Sequence, residues 1–276
     1  MNSFPENPEI VPEAQPNLAA EVVAASPAEL AAPRGPAWSG WDVLRILLMA
    51  LVALFVTVLV LSAVVSGSTF RERLNHLNAQ PELLMIGQMA AYLALLGYMY
   101  ILVTKERRQP RFWEAIHWHW PASIWIYLFI GVLLQAVFLF VERFLPFPKQ
   151  TPFEALLQRP YSLFLIAAFS VTLGPLMEEL FFRGFLYPIL KRRSGVAAAI
   201  VATALPFALM HAAQYGDSWA SVLLIFVVGV VLATVREKTN SLAASFLVHA
   251  AYNGTIILII FVATGGFRHL ERISSQ

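Results

Sequence analysis

The chain has no cysteine, and that one absence removes disulfides, a thiol nucleophile and thiolate metal ligands together. Charge is nearly as scarce: 13% of the 276 residues are Asp, Glu, Lys or Arg. Aspartate occurs only as Asp42 and Asp217, each at the end of an apolar run, so an aspartyl dyad inside a membrane has no residues to form from. Neither Gly-x-Ser-Gly nor His-Glu-x-x-His occurs, which excludes a serine nucleophile of that type and a zincin helix. A net charge of +2 is too small to call for a nucleic-acid partner. Residues 1 to about 40 lack the basic and apolar regions of a signal peptide, with Arg34 their only base.

Apolar side chain is abundant instead. Hydrophobic residues make up 58% of the sequence and the mean hydropathy is +0.66, a composition of several membrane spans of about 20 residues rather than of a soluble domain. The expected fold class is all-α: a polytopic transmembrane helix bundle of about seven spans, preceded by a disordered tail. A Pro/Ala/Glu-rich tail over residues 1–40, a membrane domain over 41–266 and a short C-terminal tail over 267–276 follow from the composition; the motifs described below mark a core over 161–261. The lipid bilayer is thus the first expected partner.

The spans are expected over Leu44–Val65, Leu83–Thr104, Ser123–Phe144, Tyr161–Leu190, Val196–Ala213, Trp219–Val235 and Leu242–Ala263. Phe70, Leu74 and Leu77 would share one face of a short helix in the polar loop 66–82. Lys105, Arg107, Arg108 and Arg111 form the densest basic loop. The aromatic run Phe112–Pro121 beside it reads as an interfacial anchor, with His117 and His119 as part of that anchor rather than metal ligands. Thr151-Pro152-Phe153-Glu154 is an N-cap with a capping-box Glu, opening a short surface helix that Pro160 ends. At 1.5 Å per residue the fourth segment would be about 45 Å long against a hydrocarbon core of about 30 Å. It must therefore tilt or break; Gly174-Pro175 is the expected kink, and Lys191-Arg192-Arg193 its end. Basic residues favour a cytoplasmic N-terminus.

Inside that fourth segment the sequence does something expensive. Glu178-Glu179-Leu180-Phe181-Phe182-Arg183 places two carboxylates and a guanidinium in an apolar run, and a charge at that depth needs a partner or a function. Glu179 and Arg183 are i,i+4 neighbours with the acid N-terminal, the better order for an ion pair. Glu178 points about 100° away, which leaves one carboxylate over. His211 and His249 lie in later apolar runs, with Phe207 and Asn253 as their i,i+4 companions. A carboxylate, two imidazoles and an amide in a membrane domain suit the activation of a water molecule.

Glu178-Glu179-x-x-x-Arg183, Phe207-x-x-x-His211 and His249-x-x-x-Asn253, in that order on successive hydrophobic segments, resemble the CAAX protease and bacteriocin-processing family, which includes the type II CAAX prenyl endopeptidases. The resemblance covers about Tyr161 to Phe261. It implies an intramembrane endopeptidase acting on a membrane-associated, possibly lipidated, protein or peptide substrate. Glu178 would be the general base, Glu179 and Arg183 the pair that sets the helix, and His211, His249 and Asn253 the groups that orient water or stabilise the oxyanion. The family is grouped with metalloproteases. A divalent ion such as zinc would take three protein ligands, and His211, His249 and Glu178 are the candidates; their wide separation in sequence leaves a metal-free site equally open. Two rival readings stand beside this one: a non-catalytic immunity or scaffold protein in which the polar cluster locks helices, and a small transporter using the same residues as an ion path. The second lacks the internal repeat that such transporters carry.

Overall fold

The structure, a computed structural model, describes residues 36–146, 160–216 and 218–269. Residues 1–35 of the tail expected over 1–40, residues 270–276 of the tail expected over 267–276, and the surface helix opened by Thr151-Pro152-Phe153-Glu154 lie outside the described residues; Trp38 and Phe267, inside those two expected tails, are buried. Every regular element among the described residues is helical.

Ser39 caps the first helix: its backbone N–H and its hydroxyl reach Asp42 Oδ2 at 2.7 and 3.0 Å, closing the first turn of α1 (Gly40–Val64). The amphipathic loop helix appears as α2 (Phe70–Asn78), where Thr69 accepts from the Glu72 N–H and Leu77 is buried. Proline at its first turn opens α3 (Pro81–Ile101), which widens into an i→i+5 turn over Leu102–Glu106. The aromatic run supplies only a short helix, α4 (Phe112–Ala115), before α5 (Trp125–Glu142). Pro160, expected to end a helix, stands at the first position of α6 (Pro160–Val171), where its missing N–H is harmless.

The long charged segment breaks, as its length demands, but not at Gly174-Pro175. The break is at Thr172 (φ −120°, ψ −86°), and both residues sit in the first turn of α7 (Leu173–Glu179). Proline in a first turn interrupts no hydrogen bond, so the strain moves to the residue before the helix. A second wide turn, Leu180–Leu186, then leads into α8 (Tyr187–Met210). Helical hydrogen bonding runs past Lys191–Arg193, and the chain departs from helix at Gly195 (φ 80°, ψ 174°), a left-handed value that glycine takes without strain. Two more helices complete the domain, α9 (Trp219–Thr239) and α10 (Leu242–Ala263).

Six helical stretches among the described residues are long and apolar enough to cross a membrane. One of them, Leu163–Met210, has 48 residues, about 70 Å if straight, and Gly195 divides it into two crossings. The total of about seven spans follows. Large apolar side chains such as Leu47, Phe55, Phe129, Phe140, Leu258 and Val262 are exposed, as lipid-facing positions require. Helix α10 is the centre, packed on α5, α6, α7 and α9, while α8 pairs with α9 and α1 with α3. The α5–α10 crossing is close because a Cβ at Gly131 would collide with the Val248 carbonyl.

Cross-contacts show which helix ends share a side. Arg45 near the start of α1 binds Glu106 at 2.7 Å, Lys191 binds Glu237 at 2.7 Å, and the Arg193 guanidinium lies over Gly40. His119 reaches the Asn240 carbonyl in the α9–α10 turn at 2.9 Å. The start of α1, the end of α3, the α4 loop, the Lys191–Arg193 turn and the α9–α10 turn therefore lie together, and they carry most of the basic residues.

Candidate active site

Glu179, Arg183 and Ser245 are fully buried, so their charges and dipoles must be matched within the protein. Arg183 donates from Nη1 to Glu179 Oε1 at 2.9 Å and from Nη2 to the Gly229 carbonyl at 2.9 Å. Its guanidinium lies 4.5 Å from the centre of the Phe207 ring, a favourable cation–π arrangement. Glycine is needed at 229 because α8 packs tightly there: a Cβ would meet Ala204 at 3.0 Å and Phe207 at 3.2 Å. Glu179 Oε1 also faces His249 Nδ1 at 3.0 Å, and its Oε2 accepts from the Ser245 hydroxyl at 2.5 Å. Both oxygens are occupied. Glu179 holds helices together and has no lone pair directed at a substrate.

The wide turn Leu180–Leu186 immediately follows these acids. Such turns carry an extra residue per turn and leave carbonyls without their usual partners. One of them, at Phe185, accepts the indole N–H of Trp38 at 3.1 Å, and the two rings stack at 4.8 Å. Trp38 is buried although it falls within the stretch expected to be a tail. Asp42, one turn further on, is buried and paired with Arg107 at 2.5 Å. The entry to α1 is thereby clamped against the turn that aims Arg183.

Glu178 is placed differently. Its side chain is 16% exposed, and its Oε2 lies 3.8 Å from His211 Nε2 and 3.6 Å from His249 Nε2. Both distances exceed a direct hydrogen bond. The tautomers follow from the other ring nitrogens. His211 Nδ1 meets the Phe207 carbonyl at 2.7 Å and His249 Nδ1 meets the Glu179 carboxylate at 3.0 Å. A carbonyl and a carboxylate only accept, so each Nδ1 carries a proton, and each Nε2 presents a lone pair when its ring is neutral. With both rings neutral, three acceptors converge on one small space, an arrangement that is repulsive until a proton donor or a cation stands between them. Water is the simplest such group.

The other motif residues have defined places. Phe207 is buried, its ring edge-on to Phe182 and His249 and 4.9 Å from the His211 ring, so it insulates the cluster on one side. The Asn253 amide donates to the Ser170 carbonyl at 2.8 Å, tying α10 to the end of α6, with one N–H still to give. His249 lies seven residues into α10, so the cluster is about 10 Å from the α9–α10 turn. Glu178, Glu179, Arg183, His211 and His249 are brought together; Asn253 stands at their edge. His117 and His119 are elsewhere, holding the α4 loop on Asn240. Burial, aided by Arg236 and His119, holds the His117 imidazole below its usual range.

Sequence reasoning missed Ser245 and Gly229. Ser245 carried a signal, since it lies four residues before His249 on the same helical face. The Gly229 carbonyl carried none. Among the described residues, no three His, Cys, Asp or Glu side chains are arranged to hold a metal ion.

Residues 160–255 match the family described as Rce1-like, type II CAAX prenyl endopeptidase. That stretch is a domain of this family, and it includes Glu178, Glu179, Arg183, Phe207, His211, His249 and Asn253. No match was found among curated proteins or among solved structures.

Proposed function

We propose that this integral membrane protein, whose residues 160–255 form a type II CAAX prenyl endopeptidase-like domain, hydrolyses a peptide bond with a water activated by Glu178. The observation that carries the reading is the trio of acceptors: Glu178 Oε2 with two imidazole Nε2 atoms at 3.6 and 3.8 Å. A water there gives one proton to Glu178 and the other to a histidine Nε2. Its lone pair is then free to attack a carbonyl carbon. Glu178 takes the proton as the C–O bond forms and returns it to the leaving amine as the C–N bond breaks. Glu179 fixes the His249 tautomer through Nδ1, and the Phe207 carbonyl fixes that of His211. The free Asn253 N–H stabilises the oxyanion. Every step runs through side chains and water.

The proposed substrate is a membrane-associated protein or peptide, a reading that the family match supports, with a prenylated C-terminal sequence as the first candidate to test. Its scissile bond would enter from the side that carries the α9–α10 turn. A purely structural cluster accounts for Glu179 and Arg183, which pair with one another, but not for the partly exposed Glu178 carboxylate facing two imidazoles. The test is cleavage of a library of membrane-anchored peptides, prenylated CAAX sequences included, in proteoliposomes. Glu178→Gln keeps shape and removes the base, so cleavage should be abolished while detergent-extracted protein keeps its melting midpoint. Turnover near the wild-type rate by Glu178→Gln would refute the assignment.

A further inference from the structure

The aromatic loop that begins at α4 stands between the site and the α9–α10 turn. Its Trp113, Trp118 and Trp120 line an open cleft of about 470 Å³ together with Leu176 and Phe246. Leu176 lies two residues before Glu178 on α7 and Phe246 three before His249 on α10. The loop is therefore a wall beside the site, on the side from which a substrate would enter. Polar contacts hold this wall to the turn. The His117 carbonyl accepts the Leu242 N–H at 2.9 Å, the His119 carbonyl accepts the Ser241 hydroxyl at 2.5 Å, and His119 Nε2 donates to the Asn240 carbonyl at 2.9 Å. A further proton on His119 leaves its bond in place, because a carbonyl asks only for a donor.

The His117 side chain makes the one contact that depends on protonation. Arg236 is buried, its Nε has no hydrogen-bond partner, and its Nη1 donates to Asn240 Oδ1 at 3.0 Å. A guanidinium only donates, so the Asn240 amide cannot turn over, and its nitrogen faces His117 Nδ1 at 3.2 Å. Nδ1 must accept there, which only the neutral imidazole with its proton on Nε2 can do. The chain of donors thus runs one way, from Arg236 through Asn240 to His117. A proton added at Nδ1 sets donor against donor and puts a second cation beside Arg236. The groups that face His117 are Arg236 of α9 and His119 of its own loop. The acids nearest them in sequence are taken: Glu114 by Arg111, and Glu237 by Lys191 and Tyr187. We propose that His117 is a positioning residue for the reaction: its neutral imidazole, by accepting from Asn240, holds the aromatic wall on α10, and its protonation releases the wall and weakens the hold on substrate. Burial and Arg236 keep the docked imidazole below its usual range, so the docked loop binds fewer protons than the released one. Docking is at full strength above about pH 6.5 and weakens as the pH falls below it.

The positioning role rests on the protease reading, whereas the docking chain does not, and the experiment reads the two apart. Wild type, His117→Asn and Asn240→Asp are reconstituted as full chains, and hydrogen exchange at the Leu242 amide is followed at about pH 7.5 and about pH 5.5, either side of the ordinary histidine range. Asparagine at 117 offers Oδ1 where Nδ1 stands, accepts at any pH and tolerates the positive φ of 60°. Aspartate at 240, where φ is 50°, adopts that conformation too and accepts from both Arg236 and a protonated His117. All three proteins should protect Leu242 at the higher pH. At the lower pH the wild-type amide should exchange about three- to tenfold faster than in either variant. Wild-type KM for the library peptide cleaved fastest should there exceed that of His117→Asn by about threefold or more, with equal kcat. Equal exchange in wild type and His117→Asn at the lower pH, acid release in Asn240→Asp, or loss of protection in both variants at the higher pH overturns the one-way chain. Exchange as expected with equal KM overturns the positioning role and spares the protease reading. A wild type that cleaves no peptide overturns both of these.

Discussion

Replacing Arg183 with methionine isolates the electrostatics of the buried acid. Methionine retains an unbranched stem over Phe207 and removes the guanidinium, so little packing is lost. Glu179 keeps His249 and Ser245 but loses its only full positive charge at 2.9 Å. Breaking a buried ion pair by deleting one partner destabilises by about 3–5 kcal/mol. At about 2–4 °C per kcal/mol for proteins near this size, the melting midpoint should fall by roughly 6–20 °C. The double variant Glu179→Gln/Arg183→Met removes the stranded charge, and a glutamine at 179 can still accept from His249. What stays broken is the bond to the Gly229 carbonyl, a loss of about 1–3 kcal/mol. The double variant should therefore recover a good part of the midpoint. The assay is thermal unfolding in mild detergent, followed by tryptophan fluorescence. A single variant within about 2 °C of wild type, or a double variant no better than the single, would refute the reasoning that Arg183 exists to neutralise Glu179.

Two further outcomes concern topology and metal. Because the chain has no cysteine, single cysteines report cleanly: those at Lys105 and Arg192 should label from the cytoplasmic side and one at Gly216 from the other, and labelling of Arg192 and Gly216 from one side would contradict a crossing between them. Water activation by Glu178 alone predicts that phenanthroline leaves cleavage at the wild-type rate in protein carrying sub-stoichiometric metal; loss of activity restored by zinc would show that the trio closes on an ion.

Much of the fold was legible because its signals are local. Apolar runs of span length, the Thr69 cap and the Phe70/Leu74/Leu77 stripe each specify a helix without reference to the rest of the chain. The i,i+4 spacing gave the Glu179–Arg183 pair, and the leftover Glu178 marked the reactive face. The position of the break was not legible, because proline tolerates a first helical turn as well as it ends a helix, and only packing chose Thr172. Wide turns leave no composition signature, so Leu180–Leu186 and its bond to Trp38 were invisible. Trp38 itself sits at the edge of a Pro- and Ala-rich stretch, and its indole becomes structural only when Phe185, 147 residues later, offers a free carbonyl. The Gly229 carbonyl and the Ser170 carbonyl were hidden for the same reason: backbone acceptors have no letter in the sequence.

The order in which the Glu179 contacts are made has a bearing on how such a chain enters a bilayer. Ser245 and His249 are 66 and 70 residues further along, which at synthesis rates of about 5–20 residues per second means a delay of roughly 3–14 s. During that interval the α7 segment must partition without them, and each charge at the middle of a span opposes insertion by about 2.5–3.5 kcal/mol. Arg183, only four residues behind, emerges almost together with Glu179. The pair can enter the lipid as a nearly neutral unit, and α10 completes the site when it arrives. The local ion pair thus serves the growing chain before it serves the finished protein, and it permits a buried acid to be delivered to a place where no water would carry it.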